Sequence, residues 1–124
     1  VTKFRVDGVP IPQGSMKVIH GRVIHSQGSA LAAWRSSVSL SAKFAGYKPS
    51  EKPIAIEIDF YMPRPRTVKR VFPTVPPDLD KLIRGVLDAL TGIVYLDDSQ
   101  VVDIRATKAY SPEPGADIRI REMS

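Results

Sequence analysis

Apolar and polar residues alternate most cleanly between Pro53 and Met62, where Ile54, Ile56, Ile58 and Phe60 are interleaved with Ala55, Glu57, Asp59 and Tyr61. A period of two over that length predicts a β-strand with one buried face. A looser alternation at Phe4 and Val6 predicts a strand from Lys3 to Val9, broken by Gly8-Val9-Pro10. Lys17 to His20 and Val23 to His25 flank Gly21-Arg22 and read as a hairpin that turns at Gly21. From Ser29 the spacing lengthens. Leu31, Trp34, Val38 and Phe44, set among alanines and serines, predict a helix to about Ala45, capped by Ser26 or Ser29, with Gly46 past its end.

Leu82, Ile83, Val86, Leu87 and Leu90 fall at i, i+1, i+4, i+5 and i+8, which is one apolar face of a helix from Asp80 to Leu90. Thr91-Gly92 ends it, and a short extended piece from Ile93 to Leu96 leads into Asp97-Asp98. Val101 to Tyr110 and Ala116 to Ile120 read as two strands joined through Ser111 to Gly115, a hairpin that closes the sheet. Between the long strand and the second helix, Arg64 to Pro77 has no regular pattern and is broken by prolines. A loop of about 14 residues is long enough to suspect a working role. The order of elements predicts an α+β fold: a single domain with a mixed, mainly antiparallel sheet and two principal helices.

Composition narrows the chemistry. The 124 residues contain no cysteine, which excludes a disulfide framework, a thiolate zinc site and a cysteine nucleophile. No apolar run approaches the length of a membrane span, and the first residues lack a signal-like apolar core, so a cytoplasmic protein is expected. The net charge of +5 suits a polyanionic partner, but its distribution says more. Arg64, Arg66, Lys69 and Arg70 cluster in the proline-rich loop, with Lys81 and Arg84 just beyond. No acidic residue lies between Met62 and Pro77; then acids arrive in pairs.

Asp78 and Asp80 follow Pro76-Pro77, which bring the chain into Asp78 extended. In extended backbone, residues two apart point the same way, so both carboxylates can face one point. One of them could instead be a helix N-cap, and Asp97-Asp98 could be a simple turn. A turn at Gly92 could return the chain toward the helix's start and gather three or four carboxylates. Such a cluster repels itself unless cations neutralise it. Oxygen ligands without Cys or nearby His point to Mg²⁺ or Mn²⁺ rather than zinc, since His20 and His25 lie far away in sequence. Lys81 and Arg84 share one helix stripe with Asp88, which is either an exposed ion-pair face or a source of cations for a scissile phosphate.

The run from Pro77 to Gly92 (PDLDKLIRGVLDALTG), followed by Tyr95 to Val102 (YLDDSQVV), resembles the RusA family of Holliday-junction resolvases. The shared pattern is D-x-D-N-x-x-K, then D-A-L, then D-D-x-Q-V. A weaker likeness covers the Met62-Pro63 end of the long strand, the basic loop and the stretch from Arg22 to Trp34. The resemblance implies a homodimer acting in DNA recombination and repair, which binds four-way junctions and makes paired, symmetric nicks with Mg²⁺, Mn²⁺ substituting. It implies Asp78, Asp80 and Asp98 as metal-binding aspartates and Asp97 as a neighbouring acid of unassigned role. The family's lysine falls at Arg84 and its asparagine at Lys81. Arginine stabilises phosphate charge but donates no proton near neutral pH. Either the role is electrostatic and Arg84 fills it, the version favoured here, or Lys81 substitutes from one turn away.

DNA contacts are expected from Arg64, Arg66, Lys69 and Arg70 along the duplex arms, with Lys17 and Arg22 of the hairpin, and they should be salt-sensitive. Phe72 either wedges against unpaired bases or pins the loop to the core. Two other readings compete: a branched-DNA-binding module without catalysis, and a Mg²⁺-dependent nuclease acting on flaps, forks or RNA.

Overall fold

The computed structural model describes residues 2–14, 16–19, 22–25 and 28–124, with the backbone alone at Thr2, 16–19 and 22–25. In chain order the elements are β1 (Thr2–Asp7), β2 (Met16–Ile19), β3 (Arg22–His25), α1 (Gly28–Phe44), β4 (Ile54–Met62), α2 (Leu79–Leu90), a 3-10 turn (Asp98–Gln100), β5 (Val101–Tyr110) and β6 (Gly115–Glu122). The α+β class and the two helices agree with the pattern of the sequence. Four strands form a mixed sheet in the order β1-β6-β4-β5, and β2 pairs with β3 as a separate hairpin. Gly21, Ser26 and His20 lie outside the described residues, as do the side chains of Lys17, Arg22 and His25.

The expected closing hairpin does not form. β5 pairs in parallel with β4, while β6 runs antiparallel to both β4 and β1. The most continuously apolar strand takes the centre. β4 buries Ile54, Ile56, Ile58, Phe60 and Met62 on one face, with neighbours on both edges. Parallel neighbours need a long crossover, and residues 63–100 supply one containing α2. Residues 111–114 then carry the chain across the end of β4, where the Ser111 N–H donates to the Met62 carbonyl at 2.9 Å.

Even-numbered residues of β1, β4 and β6 share the buried face. Phe4 and Ile58 both stand beside Ile118, and Val6 and Phe60 beside Ala116. α1 covers this face with Leu31, Trp34, Val38 and Ala42, and α2 with Leu82, Val86, Ala89 and Leu90. The other face is charged: Glu57 pairs with Arg105 and Arg119, each at 3.7 Å, and Asp117 meets Lys3 and Arg5, each at 3.8 Å. One dry face and one wet face is the ordinary solution for a largely antiparallel sheet.

Element ends differ from expectation for local reasons. β1 stops at Asp7 because Gly8 turns out of the sheet at φ 117°. α1 begins at Gly28, so Ser29 lies inside the helix and does not cap it. Its C-terminal end is as expected: Gly46 adopts φ 94°, and the Tyr47 N–H reaches the Ala42 carbonyl at 3.3 Å. No helix among the described residues is long and apolar enough to cross a membrane.

After β1 the chain crosses α2 as a strap. The Gln13 N–H donates to the Lys81 carbonyl at 3.0 Å, and the Ile11 carbonyl would lie 3.3 Å from a Cβ placed on Gly85. A glycine within a helix costs about 1 kcal/mol relative to alanine; here it makes room for a crossing backbone. Gly85→Val is therefore expected to lower stability by about 1–3 kcal/mol, read as a reduced urea midpoint by Trp34 fluorescence. An unchanged midpoint would mean that the strap does not press on the helix.

Candidate active site

Asp78 occupies the N-cap position of α2, with φ −70° and ψ 142°, so the chain does enter it extended. Its carboxylate makes no capping hydrogen bond. Instead Oδ2 lies 3.8 Å from Lys81 Nζ, and the Asp78 side chain remains 58% exposed. The capping alternative is thus not what this side chain does. Asp80 is exposed in the first turn, where the helix dipole favours negative charge.

The segment presenting these acids is tied to the sheet by a lysine on the edge strand. Lys108 Nζ of β5 donates to the carbonyls of Val75 at 3.0 Å and Pro77 at 2.9 Å, immediately before Asp78. No carboxylate among the described residues pairs with Lys108. Arg84, one helical turn after Lys81, lies against the strap: a Cβ on Gly14 would stand 2.9 Å from its Nη1. Arg84 makes no ion pair among the described residues and remains exposed. Of the two readings of the Lys81-Arg84-Asp88 stripe, the ion-pair face does not form among the described residues: Lys81 faces Asp78, and neither Arg84 nor Asp88 has an ion-pair partner.

The second acidic pair divides its labour. Asp97 is the N-cap of the 3-10 turn: its Oδ1 accepts from the Ser99 N–H at 3.3 Å, and its own N–H donates to Gln100 Oε1 at 2.9 Å. Gln100 Nε2 in turn donates to the Ser50 and Lys52 carbonyls, at 2.7 and 3.0 Å. This reciprocal box explains the D-D-x-Q spacing as local architecture. The Ser99 N–H, and then a hydrogen bond from Asp98, hold the Asp97 carboxyl below the usual carboxylate range. Asp98 is raised, first by its hydrogen bond with Asp97, then by desolvation and the charges of Asp97 and Asp88. Asp98 is exposed and caps nothing.

The two pairs stand at opposite ends of α2. After the helix, the Gly92 N–H meets the Tyr95 carbonyl at 2.7 Å, and the buried Tyr95 hydroxyl donates to the Leu87 carbonyl at 2.6 Å. Burial of this phenol pushes its pKa up. The turn at Gly92 therefore returns the chain by only about one turn of helix. Asp98 feels the charge of Asp88, and eight residues of helix separate Asp88 from Asp80 by a rise of about 12 Å. Among the described residues no three His, Asp or Glu side chains form a group able to hold a metal ion. The gathering expected from the turn is not realised within one chain.

The basic loop is organised around Tyr110. Arg70 Nε donates to the Tyr110 hydroxyl at 3.0 Å, and the Arg64 guanidinium lies 5.0 Å from its ring centroid. Arg66 and Lys69 are exposed. Phe72 is 65% exposed, so it does not pin the loop to the core. Between this loop and the strap runs a cleft of about 550 Å³, bordered by Asp78, Lys81 and Lys108. Its walls include Pro10 and Pro12 of the strap and Pro63, Pro65, Pro73, Pro76 and Pro77 of the loop.

Sequence reasoning missed Lys108, Tyr110, Gly85 and the box role of Gln100. Only the last had a readable signal, the Asp97-x-x-Gln100 spacing. Hydrogen bonds to a charged group are worth about 1.5–3 kcal/mol. Lys108→Met is therefore expected to speed tryptic cleavage after Arg66, Lys69 and Arg70 by on the order of tenfold. Unfolding followed by Trp34 should change little. Equal cleavage rates would show that Lys108 does not hold the loop.

Comparison with known proteins gives the family. A family model described as endodeoxyribonuclease RusA matches residues 7–121, which take in both acidic pairs, the basic loop and the strap. A protein of Bacillus subtilis (strain 168), carrying the name uncharacterized protein YqaN, is 32% identical over 139 aligned positions, spanning 98% of this chain and 96% of the relative. The chain belongs to the RusA family of endodeoxyribonucleases.

Proposed function

We propose that this chain is a Mg²⁺-dependent endonuclease that works as a homodimer and resolves four-way DNA junctions by paired, symmetric nicks. One observation carries the reading within the family: each acidic pair leaves an exposed carboxylate without a structural job. Asp78 occupies a cap position without capping, and Asp97 caps the 3-10 turn while Asp98, hydrogen-bonded to Asp97, caps nothing.

The donor set fits a hard cation. It consists of carboxylate oxygens, in a chain with no cysteine, and Mg²⁺ is commonly held by one or two carboxylates together with water and substrate phosphate. Asp78 and Asp80 would hold it, and Mn²⁺ would substitute. When bound, such an ion supplies activation of a water nucleophile and stabilisation of the leaving oxygen. Asp98 is not gathered with them in one chain, so we assign it to the Asp78–Asp80 pair of a second copy. A two-fold dimer then completes two identical sites, which suits a substrate of near two-fold symmetry.

Arg84 is free of ion pairs among the described residues, and we give it the task of countering charge on the scissile phosphate, without proton transfer. Lys81, engaged with Asp78, sets that carboxylate's position. The loop cations Arg64, Arg66, Lys69 and Arg70 contact the duplex arms, joined by Lys17 and Arg22. The exposed Phe72 meets the crossover.

Purified protein is incubated with a synthetic four-way junction, a flap, a fork and linear duplex, with and without Mg²⁺. Paired nicks confined to the junction, dependent on Mg²⁺ and lost in Asp80→Asn, are expected; equal cutting of all four substrates rejects junction resolution. Arg84→Ala should lower the cutting rate on the order of a hundredfold, as when one transition-state charge donor is removed. Full activity of that variant, with loss in Lys81→Ala, would move the role to Lys81. Asp80→Asn and Asp98→Asn subunits, each inert alone, are expected to regain single nicks when mixed, because each mixed dimer retains one intact set. A mixture as inert as its parents rejects sharing between copies.

A further inference from the structure

We propose that the proline-walled cleft between the strap and the basic loop is a binding slot for one unstacked nucleotide of the branched DNA. The inference rests on the DNA-cutting reading and adds to it the element that recognises the branch point. The cleft's volume of about 550 Å³ lies in the usual range for small-ligand sites. It is large enough for a single flat base.

The walls suit such an occupant. Proline has a fixed φ and no N–H, so these prolines stiffen both sides and add no backbone donor of their own. Met62 and Tyr110 also line the space, and an aromatic ring is a sequence-tolerant surface against which a base can stack. The Tyr110 hydroxyl accepts from Arg70, which leaves its own proton without an acceptor among the described residues and available to a ligand.

Charge points to a phosphate at the same place. Arg70, Lys81 and Lys108 border the cleft against one carboxylate, Asp78. Lys108 is half-buried, and its ammonium is satisfied only by two carbonyls. One of its three donors remains, and the positive charge has no paired anion among the described residues. The cleft also runs directly into Asp78 and Lys81, so a nucleotide seated in it places the adjoining phosphate near the candidate metal-holding pair. A base inside a duplex must first leave its stack and its partner, whereas one at a crossover has already been loosened. The slot thereby converts a general affinity for phosphates into a preference for branches.

The test uses a four-way junction carrying 2-aminopurine at successive positions around the crossover, with Mg²⁺ omitted so that binding is read without cutting. The wild-type chain should change the fluorescence at one pair of two-fold-related positions, and not in linear duplex. Val75→Trp, at an exposed lip of the cleft, should abolish that signal and weaken junction binding at least tenfold, with duplex affinity within twofold. Tyr110→Phe, which keeps the ring but removes the hydroxyl and its bond from Arg70, should reduce the signal and weaken junction binding several-fold. If both variants keep the fluorescence change and the junction affinity, the slot is rejected, even where paired nicking proceeds. If the signal and its loss in the variants are seen but no cutting occurs with Mg²⁺, the slot stands and the nuclease reading fails.

Discussion

A hydrogen-bonded helix of 12 residues holds its ends about 18 Å apart, and α2 is not free to bend between them. The strap crosses it at Gly85, α1 packs along it, and its buried face is fixed against the sheet. Whatever stands at one terminus stays a helix length from whatever stands at the other. Asp78 and Asp80 are set at the start by the helix and by Lys108, and Asp97 and Asp98 at the end by Tyr95 and Gln100, whose side chains bond backbone carbonyls.

Within each end, side chains with structural tasks stand beside side chains without them. Asp97 closes the 3-10 turn and binds Gln100, which binds the backbone at Ser50 and Lys52. Asp98, its immediate neighbour, is left exposed. At the other end Lys108 carries the loop, Lys81 faces Asp78, and Arg84 is held against Gly14 with no partner of its own among the described residues. At each end a residue with a structural task stands directly beside a charged one that holds no loop and caps no helix.

Much of this was legible in the chain because it is periodic. The alternation in β4 and the five apolar positions of α2 report directly which face is buried, and both elements formed where the spacing placed them. The partners of β5 were not legible. As an edge strand it has little burial contrast, with Val102 63% and Ile104 39% exposed, so nothing in its pattern distinguishes a hairpin with β6 from a parallel pairing with β4. Gly85 reads as a defect until a crossing backbone is known. Lys108 reads as a surface lysine, because the carbonyls it holds belong to a loop some thirty residues earlier. The distance between the acidic pairs depended on how far one turn after Gly92 doubles back, a matter of geometry that residue types leave open.

Pairing of β1 with β6 joins residues 2–7 to residues 115–120, and the strap hangs directly from β1. During synthesis, at roughly 5–20 residues per second, the first strand must wait for the last before its ladder can close. Arg84 and Gly85 therefore lack their covering segment until residues 115–120 have emerged from the ribosome. A nascent chain that stops short of residue 115 can hold every aspartate discussed above and still lack the frame that orients them.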